Sequence, residues 1–172
     1  RAARETGLFD RIIVSTDDDE IASISAIHGA EIPFKRPAEL SGDTAGTEEV
    51  IFHALDWLRA YDCPVQKVCC IYSSAFLLPD SIRRGYEILC REKATSAFAV
   101  TRFDYPIYRG LAITPNNRVQ MIWPEYLMSR SQELPEAYHD AGQFYWADVK
   151  KFYKARVFFS EDAVPVIISP DR

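Results

Sequence analysis

A polar segment at residues 34–47 carries the residues best suited to chemistry. It contains one well-placed arginine, Arg36, among small hydroxyl residues and glycines that let backbone amides approach a ligand closely. It runs into an amphipathic pattern, and the N-terminus of the helix predicted there would favour an anion or a polar base edge. The segment therefore indicates a binding loop; the alternative is an ordinary strand-to-helix connection capped by Thr47.

The composition predicts one ordinary domain and argues against several classes of protein. With 172 residues, 48% of them hydrophobic and 26% charged, the chain can bury a normal core. A net charge of −5 argues against a nucleic-acid binder, which would usually present a basic face. No apolar run approaches the roughly 20 residues of a membrane span, and no signal-peptide pattern is seen. We expect a cytoplasmic protein that binds neither nucleic acid nor membrane.

The cysteines predict reduced thiols rather than a metal site. Cys69 and Cys70 are neighbours in an apolar run typical of a buried strand, where adjacent residues point to opposite faces and make a poor metal clip or disulfide. We expect them, with Cys63 and Cys90, to be core thiols. The three histidines show no ligand-like spacing with these cysteines.

The elements that must position these residues alternate between strands and helices. The sequence predicts strands at 8–15, 30–33, 66–72 and 95–101, and helices at 17–28, 48–61 and 80–91. This order implies right-handed crossovers and a mainly parallel sheet. The acidic run at 17–20 is interpreted as favourable charge in a first helical turn rather than a metal site.

Apolar spacing predicts which face of each helix is inward. The first helix has one apolar face and ends at Gly29, and the other two show core spacing. The inward positions are Ile21, Ile24 and Ile27 or His28; then Ile51, Ala54 or Leu55, and Leu58; then Ile82, Tyr86, and Leu89 or Cys90.

From about residue 103 the pattern changes to short aromatic segments. Residues 105–113 and 118–123 predict a hairpin that turns at 115–117, and 142–146 and 163–168 predict returning strands. No glycine-rich phosphate loop follows any strand. Either the protein binds no phosphate in that way, or its front end is missing.

Four blocks in this order resemble the acylneuraminate cytidylyltransferases (CMP-sialic acid synthetases), and most of all their pseudaminic acid branch. The second and the last two are specific, and the last points to that branch. The blocks are Ile13-Val-Ser-Thr-Asp-Asp18, Arg36-Pro-Ala-Glu-Leu-Ser-Gly-Asp-Thr-Ala45, Arg130-Ser-Gln-Glu-Leu-Pro-Glu-Ala-Tyr138 and Asp140-Ala-Gly-Gln-Phe-Tyr-Trp146.

The resemblance implies an enzyme that joins CTP to the anomeric hydroxyl of a nonulosonic acid such as pseudaminic acid, releases pyrophosphate and needs Mg²⁺. It implies a single α/β nucleotidyltransferase domain over 1–172, with a Rossmann-like, three-layer, mainly parallel sheet. Compared with the family, the chain begins after the first strand and its phosphate loop and stops before the acidic metal-binding segment. We therefore expect a domain truncated at both ends, with its catalytic residues and metal ligands outside this stretch, and inactive alone.

The resemblance assigns roles to four residues on the nucleotide side. Arg36 matches the cytosine contact, since a guanidinium can donate to the acceptor edge of the base. Ala45 offers backbone contact to the base, Thr47 a hydroxyl to the nucleotide, and Ser74 a hydroxyl to nucleotide or sugar. A salt bridge from Arg36 to a neighbouring carboxylate, Glu39 or Asp43, is the alternative.

On the sugar side, the resemblance assigns the substrate-binding residues Arg130, Gln132, His139, Gln143 and Tyr145. A guanidinium such as that of Arg130 binds a carboxylate bidentately. His139 is expected to help set which sugar is used. The alternatives are that Tyr145 is a core residue and that His139 forms a surface pair with Asp140.

Residues 103–132 match the arm by which two family members form a homodimer. Exposed aromatic residues would suit such an interface, namely Tyr105, Tyr108, Trp123 and Tyr126; a hairpin folded onto its own domain is the alternative. Two other functions stay open: a non-catalytic nucleotide- or sugar-acid-binding module, and a nucleotidyltransferase for another sugar acid or sugar phosphate. The block at 140–146 argues against the second. The family's role in bacterial surface or flagellar glycosylation is also implied.

Overall fold

The computed structural model describes residues 1–42, 44–72 and 77–169. Its helices are α1 (Ala2–Thr6), α2 (Asp19–Ile27), α3 (Thr47–Ala60), α4 (Pro79–Glu92) and α5 (Val149–Ala155). Its strands are β1 (Lys67–Ile71), β2 (Ser96–Arg102), β3 (Leu111–Ile113), β4 (Val119–Met121), β5 (Tyr138–Asp148) and β6 (Val164–Ile167). Over the described ranges, no helix combines the length and apolar character needed to cross a membrane.

Four strands form the main sheet in the order β1-β5-β2-β6. Strand β6 pairs parallel with β2, whereas β5 lies antiparallel between β1 and β2. This corrects the prediction of a mainly parallel sheet, although β1, β2 and β6 share one direction. Strand β5 runs the other way because residues 103–137 contain no crossover α-helix, so the chain returns directly along β2.

Helices cover both faces of the sheet, as expected for the α/β class. On one face, Phe52 of α3 and Phe152 of α5 stack with ring centroids 4.7 Å apart over the sheet. On the other face, α4 buries Ile82 and Leu89 against β5, whose Trp146 indole N–H donates to the Ile82 carbonyl at 2.9 Å. The central strand β5 therefore contributes to both cores.

The predicted strands at 8–15 and 30–33 are reduced to one parallel bridge between Ile13 and Glu31. The Val14 N–H donates to the Glu31 carbonyl at 3.0 Å, and the Glu31 N–H donates to the Ile12 carbonyl at 2.7 Å. This corrects the prediction, because the pairing does not extend into a ladder within the described residues.

Helix α2 begins as predicted but does not bury its apolar face. The Asp18 carboxylate accepts a hydrogen bond from the Ile21 N–H at 2.8 Å and caps the helix. No residue of α2 is buried, and Ile27 is 82% exposed. The inward positions predicted for this helix are therefore wrong, because the segments beside it form a single bridge rather than a sheet face.

The four cysteines divide into two groups. Cys69 and Cys70 pack on opposite faces of the sheet, as predicted, and burial raises the pKa of Cys70 to about 11. Cys63 and Cys90 are exposed, so their prediction as core thiols is wrong. Cys63 lies in the turn after α3, and Cys90 follows the buried Leu89 on the outer side of α4. All four are free thiols.

The hairpin predicted from residues 105–113 and 118–123 is present as the pair of β3 and β4, and Asn117 in its turn has a φ of 54°. Four aromatic residues of the arm were predicted to be exposed. Tyr105 is, at 66%, whereas the other three are half-buried. Tyr108 packs 4.7 Å from Tyr126 and 5.6 Å from Trp123 between ring centroids, so these three cover one another.

Helix α4 approaches the sheet closely at Gly85. A Cβ there would lie 2.7 Å from the Phe144 ring and 2.8 Å from the Trp146 ring, both buried. Although alanine favours a helix by about 1 kcal/mol, we expect Gly85→Ala to lower the free energy of unfolding by about 1–3 kcal/mol through overpacking. Urea denaturation measures the change. Gly42→Ala, whose Cβ meets nothing within 4 Å, is the control; equal midpoints would refute the close approach.

Candidate functional site

Thr47 and Tyr72 join the start of α3 to the end of β1. Tyr72 directly follows β1, and its hydroxyl hydrogen bonds with the Thr47 hydroxyl. The N-cap of α3 is Gly46, so Thr47 does not cap the helix as the alternative interpretation required. Its hydroxyl is held instead at the carboxyl end of β1, the edge at which open α/β sheets bind ligands.

Tyr145 and Asp140 continue this contact into β5. The Tyr72 ring meets the Tyr145 ring edge-on, with centroids 5.5 Å apart. The Tyr145 hydroxyl donates to the Asp140 carboxylate, whose other oxygen accepts the Gly142 N–H at 2.9 Å. The structure thus connects Thr47, predicted to bind the nucleotide, with Tyr145, predicted to bind the sugar.

A bulge in β5 makes this connection possible. Phe98 pairs with Tyr145 and Val100 pairs with Asp140, so residues 98–100 lie opposite residues 140–145. Gly142 takes a left-handed φ of 59°, which suits a residue without a Cβ. The surplus residues bend the strand so that the Asp140 carboxylate reaches the Tyr145 hydroxyl.

The environment of Tyr145 keeps its hydroxyl protonated. Burial, and after it the hydrogen bond to Asp140, raise the pKa of Tyr145. Its ring packs against Phe98 and Phe158 in the core, with centroids 5.6 Å and 5.0 Å away. The ring of Tyr145 is therefore part of the core, which was the alternative to a substrate contact. Its hydroxyl is a fixed hydrogen-bond donor that cannot serve as a base near neutral pH.

Arg36 is held by Asp17 and Ser41. Its Nη2 donates to Asp17 Oδ1 at 3.2 Å and its Nε to Ser41 Oγ at 3.2 Å, while its backbone N–H bonds to the Thr16 carbonyl at 2.9 Å. The hydrogen bond from Arg36 holds the pKa of Asp17 below its usual value. The salt bridge foreseen as an alternative exists, but its partner is Asp17 rather than Glu39; Asp43 lies outside the described residues.

Ala45 and Ser74 were also predicted to contact the nucleotide. The Ala45 N–H donates to the Gly42 carbonyl at 3.0 Å, so a backbone contact from Ala45 to a base would have to use its carbonyl oxygen. Ser74 lies outside the described residues.

Arg130 and Gln132 lie apart from this network. Arg130 is the N-cap of a short 3-10 turn (Ser131–Glu133) that contains Gln132. The Glu133 N–H donates to the Arg130 carbonyl at 3.0 Å, and the Arg130 N–H donates to the Glu133 carboxylate at 3.4 Å. Both side chains are exposed. In the described ranges, no hydrogen bond joins either of them to Tyr145 or His139, so the structure does not bring together all the predicted sugar residues.

His139 and Gln143 flank the bulge in different environments. His139 is exposed; its ring meets the Phe103 ring at 4.7 Å, and its Nδ1 lies 2.9 Å from the Asp140 carbonyl. The surface pair with Asp140 thus involves the backbone rather than the carboxylate. Gln143 is buried, and its backbone carbonyl accepts a hydrogen bond from the Tyr72 backbone N–H at 3.0 Å.

Three residues of the site were missed by sequence reasoning: Asp17, Tyr72 and Asp140. Each lies in a segment that had drawn attention, but none was singled out. For Tyr72 a signal existed, because it is the first residue after a buried strand, where ligand-facing side chains collect. For Asp140 none existed, because its role depends on the bulge.

The described part of the chain does not fit a metal ion by itself. No group of three or more histidine, cysteine, aspartate or glutamate side chains is close enough to share one there. No chemical step is therefore assigned to a metal on these residues, and the Mg²⁺ requirement stays a prediction.

Comparisons with known proteins agree on one family. The sequence model described as cytidylyltransferase matches residues 1–159. A pseudaminic acid cytidylyltransferase of Campylobacter jejuni is 37% identical over 158 residues, which cover 91% of this chain and 68% of that protein.

Two other relatives extend this similarity. A Helicobacter pylori protein named pseudaminic acid cytidylyltransferase and UDP-2,4-diacetamido-2,4,6-trideoxy-beta-L-altropyranose hydrolase is 29% identical over 170 residues, or 98% of this chain and 32% of that protein. A CMP-N,N'-diacetyllegionaminic acid synthase of Legionella pneumophila is 24% identical over 171 residues, or 98% of this chain and 72% of that protein.

The Asp140–Tyr145 hydrogen bond predicts energetic coupling. We expect a double-mutant cycle of Asp140→Ala and Tyr145→Phe to give a coupling free energy on the order of 1–3 kcal/mol, because this hydrogen bond has a charged acceptor and Asp140→Ala leaves the partly buried Tyr145 hydroxyl without that acceptor. Unfolding free energies from urea denaturation measure it. Asp104→Ala, an exposed aspartate in the arm, combined with Tyr145→Phe is the control; a coupling as small as in that pair would contradict the assigned hydrogen bond.

Proposed function

The chain belongs to the cytidylyltransferase family, and from this membership we propose that it transfers the cytidylyl group of CTP to a nonulosonic acid, pseudaminic acid or a close relative. In this reaction the anomeric hydroxyl loses its proton to solvent or to a base, its oxygen forms a bond to the α-phosphorus, the bond from that phosphorus to the β-phosphate oxygen breaks, and pyrophosphate leaves. As a family member the protein is a nucleotidyltransferase.

One observation carries the proposal for these residues. The proposal is supported by the contact from Thr47 through Tyr72 to Tyr145, which links one residue proposed for the nucleotide side with one proposed for the sugar side. A transferase that joins two substrates must hold them side by side, since positioning is a large part of such catalysis. A molecule with these two regions on opposite sides would not meet that requirement.

On the nucleotide side, we propose that Arg36 reads the base. Its Nε and Nη2 are engaged by Ser41 and Asp17, which orient the planar guanidinium. Donors of this kind suit the carbonyl and ring nitrogen of cytosine, whereas uracil presents an N–H at the ring position. Ala45, Thr47 and Ser74 complete the proposed nucleotide contacts.

On the sugar side, we propose that Tyr145 and His139 contact the substrate from β5. Tyr145 offers a hydroxyl fixed by Asp140, and His139, the residue before Asp140 in the same strand, offers an exposed ring. Gln143, Arg130 and Gln132 complete the proposed contacts. Mg²⁺ is the proposed cofactor, and a cytoplasmic location is consistent with four free thiols.

Nucleotide binding tests the proposal without requiring turnover. We expect the purified protein to bind CTP more tightly than UTP in isothermal titration calorimetry, and Arg36→Ala to weaken CTP binding about 10–100-fold, as loss of charged hydrogen bonds would. Lys35→Ala, the neighbouring exposed cation, is the control and should bind like the wild type. Equal affinity for CTP and UTP in the wild type would sink the base-reading role, and absence of cytidine-nucleotide binding would sink the function.

We further propose that residues 103–132 form a homodimer contact. The hairpin exposes a row of apolar side chains, with Leu111 57%, Ile113 75% and Val119 69% exposed. Such a row on a monomer is a typical interface feature, and a second copy of the chain is the partner that the family resemblance implies.

The arm predicts a charge-sensitive dimer. We expect a dimeric mass in size-exclusion chromatography with light scattering, and a monomeric mass for Ile113→Glu, because burying a carboxylate among apolar side chains is costly. Asn116→Glu adds the same charge at the hairpin turn and should stay dimeric. A monomeric wild type, or a dimeric Ile113→Glu protein, would count against this interface.

A further inference from the structure

Tyr72 contacts one residue from each of the two proposed substrate sides. Its hydroxyl hydrogen bonds with the hydroxyl of Thr47 on the nucleotide side, and its ring meets the ring of Tyr145 on the sugar side edge-on, with centroids 5.5 Å apart. We propose that Tyr72 is a positioning residue for both substrates, in which the hydroxyl orients Thr47 and the ring supports Tyr145. This assignment rests on the function proposed above.

The main chain determines where the Tyr72 side chain points. Tyr72 directly follows β1, and its backbone N–H donates to the backbone carbonyl of Gln143 in β5 at 3.0 Å. Alternate residues of a strand share a face, so Tyr72 continues the row of Val68 and Cys70, which pack with α3 on one side of the sheet. Tyr145 packs on that side as well. The sheet therefore directs the Tyr72 side chain toward Tyr145 and the start of α3.

The hydroxyl of Tyr72 orients the hydroxyl of Thr47. Thr47 is the first residue of α3, so no preceding helical turn offers its side chain a carbonyl acceptor. Among the residues that the structure describes, Tyr72 is the hydrogen-bond partner of the Thr47 hydroxyl. A side chain that is oriented before a ligand arrives loses less entropy on binding. Removing the Tyr72 hydroxyl should therefore weaken the nucleotide through Thr47.

The ring of Tyr72 supports Tyr145 from the solvent side. The Tyr145 ring has three aromatic neighbours, Tyr72, Phe98 and Phe158. Phe98 and Phe158 are buried, whereas Tyr72 is 40% exposed. Tyr72 is therefore the neighbour that borders the surface from which a substrate would approach Tyr145.

The exposure of Tyr72 separates a positioning role from a structural one. Its hydrogen bond with Thr47 is exposed, and such a bond contributes little to stability because water replaces a partner that is removed. We therefore expect Tyr72→Phe to unfold in urea at nearly the wild-type midpoint. Tyr138 offers a matched comparison, because it is 41% exposed and its hydroxyl donates to Glu136 at 3.0 Å.

Calorimetric titration separates the two halves of the proposal. We expect Tyr72→Phe to weaken CTP binding about 3–10-fold, as loss of an orienting hydrogen bond would. Binding of pseudaminic acid, titrated with CMP at saturation, should change less than about twofold in that variant because the ring remains. Tyr72→Leu, which also removes the ring, should weaken both ligands at least about threefold. Tyr138→Phe is the control and should bind both ligands like the wild type.

A double-mutant cycle tests whether Tyr72 acts through Thr47. Thr47→Val removes the hydroxyl but keeps the shape of the side chain, and it should weaken CTP binding by itself. In the Thr47→Val background, Tyr72→Phe should change CTP affinity less than about twofold, because the hydroxyl that Tyr72 orients is gone. An equal loss in both backgrounds would show that Tyr72 acts on the nucleotide independently of Thr47 and would overturn the positioning role.

The other outcomes also decide the assignment. Wild-type CTP affinity in Tyr72→Phe, or a loss of sugar-acid affinity in that variant as large as in Tyr72→Leu, would overturn it and leave the proposed function standing. Unchanged sugar-acid affinity in Tyr72→Leu, or its failure to fold by circular dichroism, would overturn the role of the ring. A Tyr72→Phe midpoint well below that of Tyr138→Phe would show that the hydroxyl stabilises the fold and would overturn its role in the site. A wild type that binds no cytidine nucleotide would overturn the proposed function itself, and this assignment with it.

Discussion

The Asp140 carboxylate, held between the Gly142 amide and the Tyr145 hydroxyl, is the interaction on which the site depends. It stabilises a bend in the central strand of the sheet, where a regular strand would keep residues 140 and 145 far apart. The bend places the Tyr145 ring edge-on against the Tyr72 ring. One side-chain contact thereby joins the bulge in β5 to the tyrosine that follows β1.

Elements with strong local patterns were predictable from the sequence. Helices α3 and α4 and strands β1 and β2 lie close to their predicted bounds, because apolar spacing over ten or more residues, or a short β-rich run between turns, reflects burial directly. The antiparallel position of β5 was not predictable, since strand order depends on non-local pairing. The strands expected near residues 8–15 and 30–33 failed for a related reason: a strand pattern becomes a ladder only beside another strand.

The sequence indicated which segments contribute to the candidate site, but it did not indicate which of their side chains are in contact. The family blocks contain Thr47 and Tyr145, but Tyr72, which joins them, was not singled out by any block. Arg130 and Gln132 belong to the same predicted sugar side, yet a short 3-10 turn leaves them exposed and away from the network. Sequence order gives the members of a site, while a bulge or turn decides which of them meet.

The Arg36–Asp17 pair shows how such a site can be ordered and still admit a ligand. Two of the guanidinium nitrogens are held, so the plane of the group is oriented before a base arrives. The Asp17 carboxylate is exposed, and an ion pair in water contributes little to stability, so a base acceptor can share or replace it at small cost. An oriented donor therefore improves binding mainly by lowering the entropy lost when the base is engaged. A buried pair at the same position would hold Arg36 more firmly but would resist the exchange that the proposed base recognition requires.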